Sequence, residues 1–249
     1  GEWWTILFVD SGPFGRFPSL QPVTFKDGWP MIGINEKAVV TYKKPAVGRV
    51  YPRRSLSTSD EFDDAKLGMQ WGWNHNPDST KWTLTQKRGS LRLITVKPAA
   101  TLREAQNTLT QRPFVKPKKM GPTIATIKLD VSQMKAGDVA GLAVFQDPYA
   151  FIAVKHIKGA SYLLMVNNGT PIDSVALPST TVYLRTIAFN TTAKASFEYS
   201  LNNKNFKRLG NELEMKFNLK IFTGNKFCLF NYATISAGGY VDFDWFRVN

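Results

Sequence analysis

A single cysteine, two histidines and a shortage of acidic residues mark this 249-residue chain, and each scarcity closes off a class of function. Cys228 alone cannot form an internal disulfide, and its setting in Lys226-Phe-Cys-Leu-Phe230 is that of a buried, inert thiol. His75 and His156 have no Ser, Cys or metal-ligand company at a diagnostic spacing, so both read as structural. There is no Walker-type loop, dinucleotide fingerprint or cysteine-based zinc pattern. No apolar run approaches the roughly 20 residues of a membrane helix, and no charged-then-apolar leader opens the chain, so the expectation is a soluble protein without a membrane partner. The chain starts at Gly-Glu-Trp-Trp and runs directly into strand-like residues, as an internal piece of a longer polypeptide would.

What is present points to an all-β protein. Hydrophobic residues make up 43% of the chain, enough for one large or two modest cores. Helix-period patterns are nearly missing, while short alternating segments bounded by Gly, Pro, Asn and Asp recur throughout. Segments 5–9, 20–25 and 29–33, the last two joined by an Asp27-Gly28 turn, suggest one hairpin sheet comparable to a propeller blade. Residues 43–58 lose the pattern and read as a basic, Pro- and Ser-containing linker. Strand candidates then follow from 81 to 248 at the spacing of two stacked sheets, with a tight hairpin expected at Asn202-Asn203. The boundaries are therefore 1–42, 43–58 and 59–249. The net charge of +13, with 32 Lys and Arg against 19 Asp and Glu, favours anionic contacts. The basic residues are nevertheless scattered through loops, at Lys43-Lys44, Arg53-Arg54, 112–119 and 204–208, without a recognition helix, and no nucleic-acid partner is expected.

Candidate chemistry is sparse. Asp60, Glu61, Asp63, Asp64, Asp242 and Asp244 are the visible acidic groups. Asp242 and Asp244 alternate with Val241, Phe243 and Trp245, so a regular strand points both away from the aromatic side. That face is either solvated or part of an oxygen-ligated calcium site built from Asp60, Glu61 and Asp244. Trp71, Trp73 and Trp82 flank the turn Asn74-His-Asn-Pro-Asp78, and are either a platform for sugar rings or ordinary sandwich core. Asn168-Gly-Thr170 and Asn190-Thr-Thr192 satisfy the short N-glycosylation pattern.

Two segments carry a family resemblance. Gly15-Arg16-Phe17-Pro18-Ser19-Leu20-Gln21-Pro22 through Trp29-Pro30 resembles the closing-blade segment of the five-bladed propeller of glycoside hydrolase family 43, the β-xylosidase and α-L-arabinofuranosidase family. Leu67-Gly-Met-Gln-Trp71-Gly-Trp73-Asn-His-Asn-Pro77, followed by Trp82-Thr-Leu-Thr85 and Asn107-Thr-Leu-Thr-Gln-Arg112, is similar to the concanavalin-like, jelly-roll sandwich that accompanies such propellers.

The resemblance implies an inverting hydrolase of xylosides or arabinofuranosides whose Asp base, Glu acid and pKa-tuning Asp all lie on earlier blades, so no catalytic carboxylate is expected in this chain. Its partners would be a xylo- or arabino-oligosaccharide and the N-terminal propeller portion of the same protein, and its location secreted or periplasmic in a bacterium. Arg16 matches the family's Gly-Arg position, where the guanidinium reaches the substrate-binding centre. Its planar fork suits sugar hydroxyls and nearby carboxylates. Phe222-Thr-Gly-Asn-Lys-Phe227 resembles the loop that lends an aromatic to the pocket rim, with Phe227 the first candidate and Phe222 the second; Phe227 is equally a strand core residue. The rival reading is a non-catalytic carbohydrate-binding sandwich.

Overall fold

The computed structural model describes residues 1–249 apart from 53–57, 113–120 and 222. Three strands, β1 (Trp3–Asp10), β2 (Arg16–Lys26) and β3 (Trp29–Ile32), form an antiparallel sheet in sequence order. Asp27 and Gly28, both at positive φ, make the two-residue turn between β2 and β3 that the Asp-Gly pair announced.

The remaining strands build two stacked sheets. They are β4 (Gly72–Trp73), β5 (Trp82–Thr83), β6 (Leu91–Ile94), β7 (Leu109–Gln111), β8 (Thr123–Asp130), β9 (Asp138–Phe145), β10 (Ala150–Ile157) and β11 (Ala160–Asn167), then β12 (Thr170–Ala176), β13 (Thr181–Phe189), β14 (Lys194–Ser200), β15 (Lys207–Arg208), β16 (Leu213–Glu214), β17 (Lys226–Ala233) and β18 (Tyr240–Val248). One sheet runs β12-β11-β10-β9-β17-β7-β4; the other runs β15-β14-β13-β8-β18-β6-β5, with β16 beside β14. The expected two-sheet sandwich is therefore present, and no helix among the described residues is long and apolar enough to cross a membrane.

Alternation explains the first core. Leu142, Ile152, Leu229, Ile127, Leu184 and Phe243 project from the two sheets into one shared interior. The seven-stranded sheet has a second, outward core, where Phe145, Phe151, Phe230 and Tyr232 lie beneath a cover of Ala99, Leu102 and Ala105. Arg103 closes that cover: its guanidinium lies 4.9 Å from the Tyr149 ring centroid, donates to the Gln146 carbonyl at 2.8 Å and pairs with Asp147 at 2.7 Å. Buried on both faces, β9, β10 and β17 consequently read as nearly unbroken apolar runs.

Three expectations change. Thr170–Ala176 is a strand that the residues did not announce: it is an exposed sheet edge with no face to alternate against, paired to β11 through an Asn168-Gly169 turn at positive φ. The supposed glycosylation triplet is thus a hairpin turn. Asn202-Asn203 is a loop over 201–206 rather than a tight hairpin, because the Asn202 carboxamide accepts from the backbone N–H groups of Lys204 and Asn205 and organises a wider bend. In β18, the register against β8 shifts between Phe243 and Trp245, so Asp244 is an inserted residue. This bulge moves Phe246 into the core and Trp245 to the outer face, where Tyr183 and Arg247 cover it.

Candidate functional site

The chain between β1 and β2 reverses in a few residues, and this turn is where the small sheet enters the sandwich. Its N-terminal side is held by Asp10, whose carboxylate accepts from the Gly12 N–H at 2.8 Å, and by Ser11 N–H donating to the Gly15 carbonyl at 2.8 Å. Gly12–Phe14 is one turn of 3₁₀ helix, and Gly15 follows with φ 81° and ψ −154°, a conformation open essentially to glycine. Phe14 is buried in the sandwich's inter-sheet core, and Phe17 packs against its margin.

Arg16 opens β2 opposite Asp10. Its Nε lies 3.8 Å from the Asp10 carboxylate and its guanidinium 4.4 Å from the Phe8 ring centroid, with about a third of the side chain (34%) open to solvent. A guanidinium packed on an aromatic face beside a carboxylate, and still partly accessible, is of a kind that hydrogen-bonds sugar hydroxyls.

The sandwich supplies the other wall. Asn225, fully buried, donates its backbone N–H to the Pro13 carbonyl at 2.8 Å and its side-chain amide to the same oxygen at 2.7 Å and to the Lys216 carbonyl at 3.1 Å. Arg112 Nη2 donates to the carbonyls of Phe14 (3.0 Å) and Arg16 (3.1 Å), while its guanidinium covers the Phe17 ring at 4.9 Å. Gly15 and Gly224 meet backbone to backbone: a Cβ on Gly224 would lie 2.2 Å from the Phe14 carbonyl oxygen. Next to Asn225, half-buried Lys226 has its ammonium pKa lowered, first by burial and further by the Arg112 charge.

The loop expected to lend an aromatic to the pocket rim lies against the turn before Arg16, through Gly224 and Asn225. Phe227 corrects the expectation made for it. It is fully buried between the sheets, 6.1 Å from the Phe246 ring, and presents nothing to a ligand. Because β17 is covered on both faces, its apolar run held no sign of which residues face inward. Phe222 lies outside the described residues. Arg112 and Asn225 were missed as site residues: both contact backbone carbonyls far away in sequence, a role without a residue pattern.

The proposed calcium ligands are not brought together. Asp60 accepts from Trp71 Nε1 at 2.7 Å and from Gln70 at 3.2 Å. Glu61 is gripped by Arg247 through two bonds of 2.8 and 2.9 Å, and Asp244 pairs with Lys128. Each carboxylate is thus engaged by protein donors, and no group of three or more His, Cys, Asp or Glu side chains suited to a metal occurs among the described residues. Nor do Asp242 and Asp244 share a solvated face. Asp242 is buried under the Arg92 fork (2.8 and 3.0 Å) and Lys87 (3.2 Å), while the bulge takes Asp244 out of phase with it.

Trp71, Trp73 and Trp82 pack against the inter-sheet core, with Trp73 and Trp82 in mutual contact at 5.1 Å. All three are partly buried at the edge of the core. His75 bonds the Arg103 carbonyl and His156 the Ser161 hydroxyl, both structural roles. A separate concavity of about 390 Å³ beside His156, Ser161 and Tyr162 lies at the opposite end of β10 from Arg16's turn.

Comparison with known proteins adds a second kind of evidence. Residues 59–249 match the family described as the beta xylosidase C-terminal concanavalin A-like domain. A beta-xylosidase of Formosa agariphila is 35% identical over 98% of this chain, which spans 45% of that protein. Among solved structures, a bifunctional GH43-CE protein of Bacteroides eggerthii superposes with a TM-score of 0.88 at 38% identity, over all of this chain and 33% of its own. An engineered GH43 glycoside hydrolase, described as displaying both endo-xylanase and exo-arabinofuranosidase activity, gives 0.88 at 30% identity over all of this chain and 52% of its own. The chain therefore spans about half or less of the relatives it resembles.

Proposed function

The chain belongs to the family of β-xylosidase C-terminal concanavalin A-like domains, and from that premise we propose that it is the C-terminal part of a glycoside hydrolase cleaving xylosidic or arabinofuranosidic bonds. The observation that carries this reading is the small sheet. Ile6, 72% exposed, lies on one face with Phe8 and Leu20, and Trp3, 64% exposed, on the other with Leu7 and Val9. A sheet with apolar side chains open on both faces is built to be enclosed between neighbours, as a blade in a propeller is. Arg16 stands at one end of that sheet, so blades packed against it would share the space into which the guanidinium opens.

In this reading the missing blades supply the acid and base, and Arg16 binds sugar hydroxyls and steadies nearby carboxylate charge. The sandwich contributes the wall behind Arg16. The test uses the full-length protein assayed on aryl β-D-xylopyranoside and aryl α-L-arabinofuranoside. Arg16→Ala is expected to lower kcat/KM by about 10²-fold or more with an unchanged thermal midpoint. Wild-type kinetics from that variant would overturn the role. Product anomers followed by NMR during turnover test inversion, and early appearance of the retained anomer contradicts it.

A further inference from the structure

The hydrogen bonds between sandwich and small sheet are concentrated at one place. Four of them, two from Asn225 and two from Arg112, fall on the carbonyls of Pro13, Phe14 and Arg16. Those carbonyls flank Gly15, the residue whose φ and ψ set the direction in which the chain leaves toward Arg16. Arg112 ties the Phe14 carbonyl, before Gly15, to the Arg16 carbonyl, after it, with one nitrogen, fixing the peptide planes that enter Gly15 and leave Arg16. The close Gly15–Gly224 approach leaves no room for even a methyl group between loop and turn. Phe14, sunk into the inter-sheet core, and Phe17, under the Arg112 guanidinium, prevent the turn from sliding.

We infer that Thr223–Asn225 and Arg112 are a positioning clamp for Arg16, so that the sandwich sets the placement of a substrate-binding cation that belongs to the other sheet. The inference rests on the reading of Arg16 given above. Simple mechanical joining of two domains needs buried area, and Phe14 supplies some of it. It does not need donors converging on the peptides just before the strained Gly15 and just after Arg16. The requirement for such donors arises when an arginine fork must meet its ligand to within a fraction of an ångström, since misplacement by about 1 Å costs on the order of 10² in rate.

Gly224→Ala is the sharpest probe. Gly224 does not sit at positive φ, so its own loop tolerates alanine, while the added methyl meets the Phe14 carbonyl and Gly15 nitrogen of the turn. Arg112→Met is the second probe: the side chain is exposed, and the change removes both carbonyl contacts without opening the core. Each is made in the full-length protein, alone and combined with Arg16→Ala, and kcat/KM is measured on whichever aryl glycoside the wild type hydrolyses. Gly224→Ala is expected to lose about 10–10²-fold and Arg112→Met about 3–10-fold. Arg112→Lys, which keeps a donor, should recover part of the loss.

Both losses should vanish on the Arg16→Ala background, because a clamp has nothing left to place. If Arg16→Ala itself keeps wild-type kinetics, the functional reading falls and the clamp with it. If Arg16→Ala is crippled yet the clamp variants match wild type, or their losses add in full to that of Arg16→Ala, the clamp is refuted while the reading stands. Should Gly224→Ala fail to fold, Arg112→Met decides the same question.

Discussion

The two parts of this molecule handle the same apolar currency of residues in opposite ways. In the sandwich, the seven-stranded sheet is covered twice, by the opposing sheet and by the 99–105 segment, so that Phe151 and Phe230 are as buried as Phe243. In the small sheet, Trp3, Ile6, Phe8, Phe25 and Trp29 are each more than half exposed. The local order of the small sheet instead comes from its tethers. Gln21 exchanges hydrogen bonds with the backbone of Val39. Glu2 accepts from the Ala46 N–H and from Lys43, and these donors hold its carboxyl at about 2. One region is complete in itself; the other is a half-made interface.

That contrast can be broken most forcefully inside the sandwich. Phe243→Ala should cost about 3–5 kcal/mol, read from urea unfolding of the chain, because it empties a site closed on every side. A cost below about 1 kcal/mol would mean the sandwich is no better packed than the sheet beside it.

At the seam, Lys226→Met is expected to raise the thermal midpoint by a few degrees at pH 7. Its lowered folded pKa means the unfolded chain binds more protons between that value and the ordinary 10.5, so stability rises with pH through this window. The gain from removing the ammonium should accordingly shrink toward pH 10.5 and above. A gain independent of pH would assign the effect to packing alone.

On the sandwich surface, Glu61→Gln should cost less than about 1 kcal/mol, since its pairing with Arg247 is half-exposed. The Arg247 bond holds the Glu61 carboxyl below its ordinary 4.5, so this contribution is present above 4.5 and lost as pH falls through the folded value. The wild type and variant should converge in stability at low pH.

The smallest effect sharpens the comparison from the other side. Ile6→Ala should change the stability of this chain by no more than about 0.5 kcal/mol, yet the proposed enclosure by further blades predicts a cost of about 2–5 kcal/mol in the full-length protein. Equal effects in both settings would show that nothing packs on that face.

The sandwich was legible wherever one face of a strand meets water and the other meets the core. β13 alternates residue by residue and β8 nearly does, and both were expected within a residue or two of their observed ends. Legibility failed where that asymmetry is lost. The exposed edge strand β12 has no buried face, doubly covered β17 has no exposed one, and the Asp244 bulge changes phase mid-strand. In the site, Arg16 and the 222–227 loop were singled out by family resemblance alone, and the sequence could not orient Phe227. The partners that hold the turn act through its backbone, and a donor aimed at a peptide carbonyl nearly a hundred residues or more away imposes no pattern on its own neighbours.

The middle layer has one practical corollary. Cys228 lies within it, beneath the 99–105 cover, and burial pushes its thiol well above the ordinary range. It is the chain's one thiol, so it has no competitor for an alkylating reagent. Labelling of the native protein must wait for that layer to part, and the waiting time is a clock, wired into the chain at a single atom, for how often the sandwich comes open.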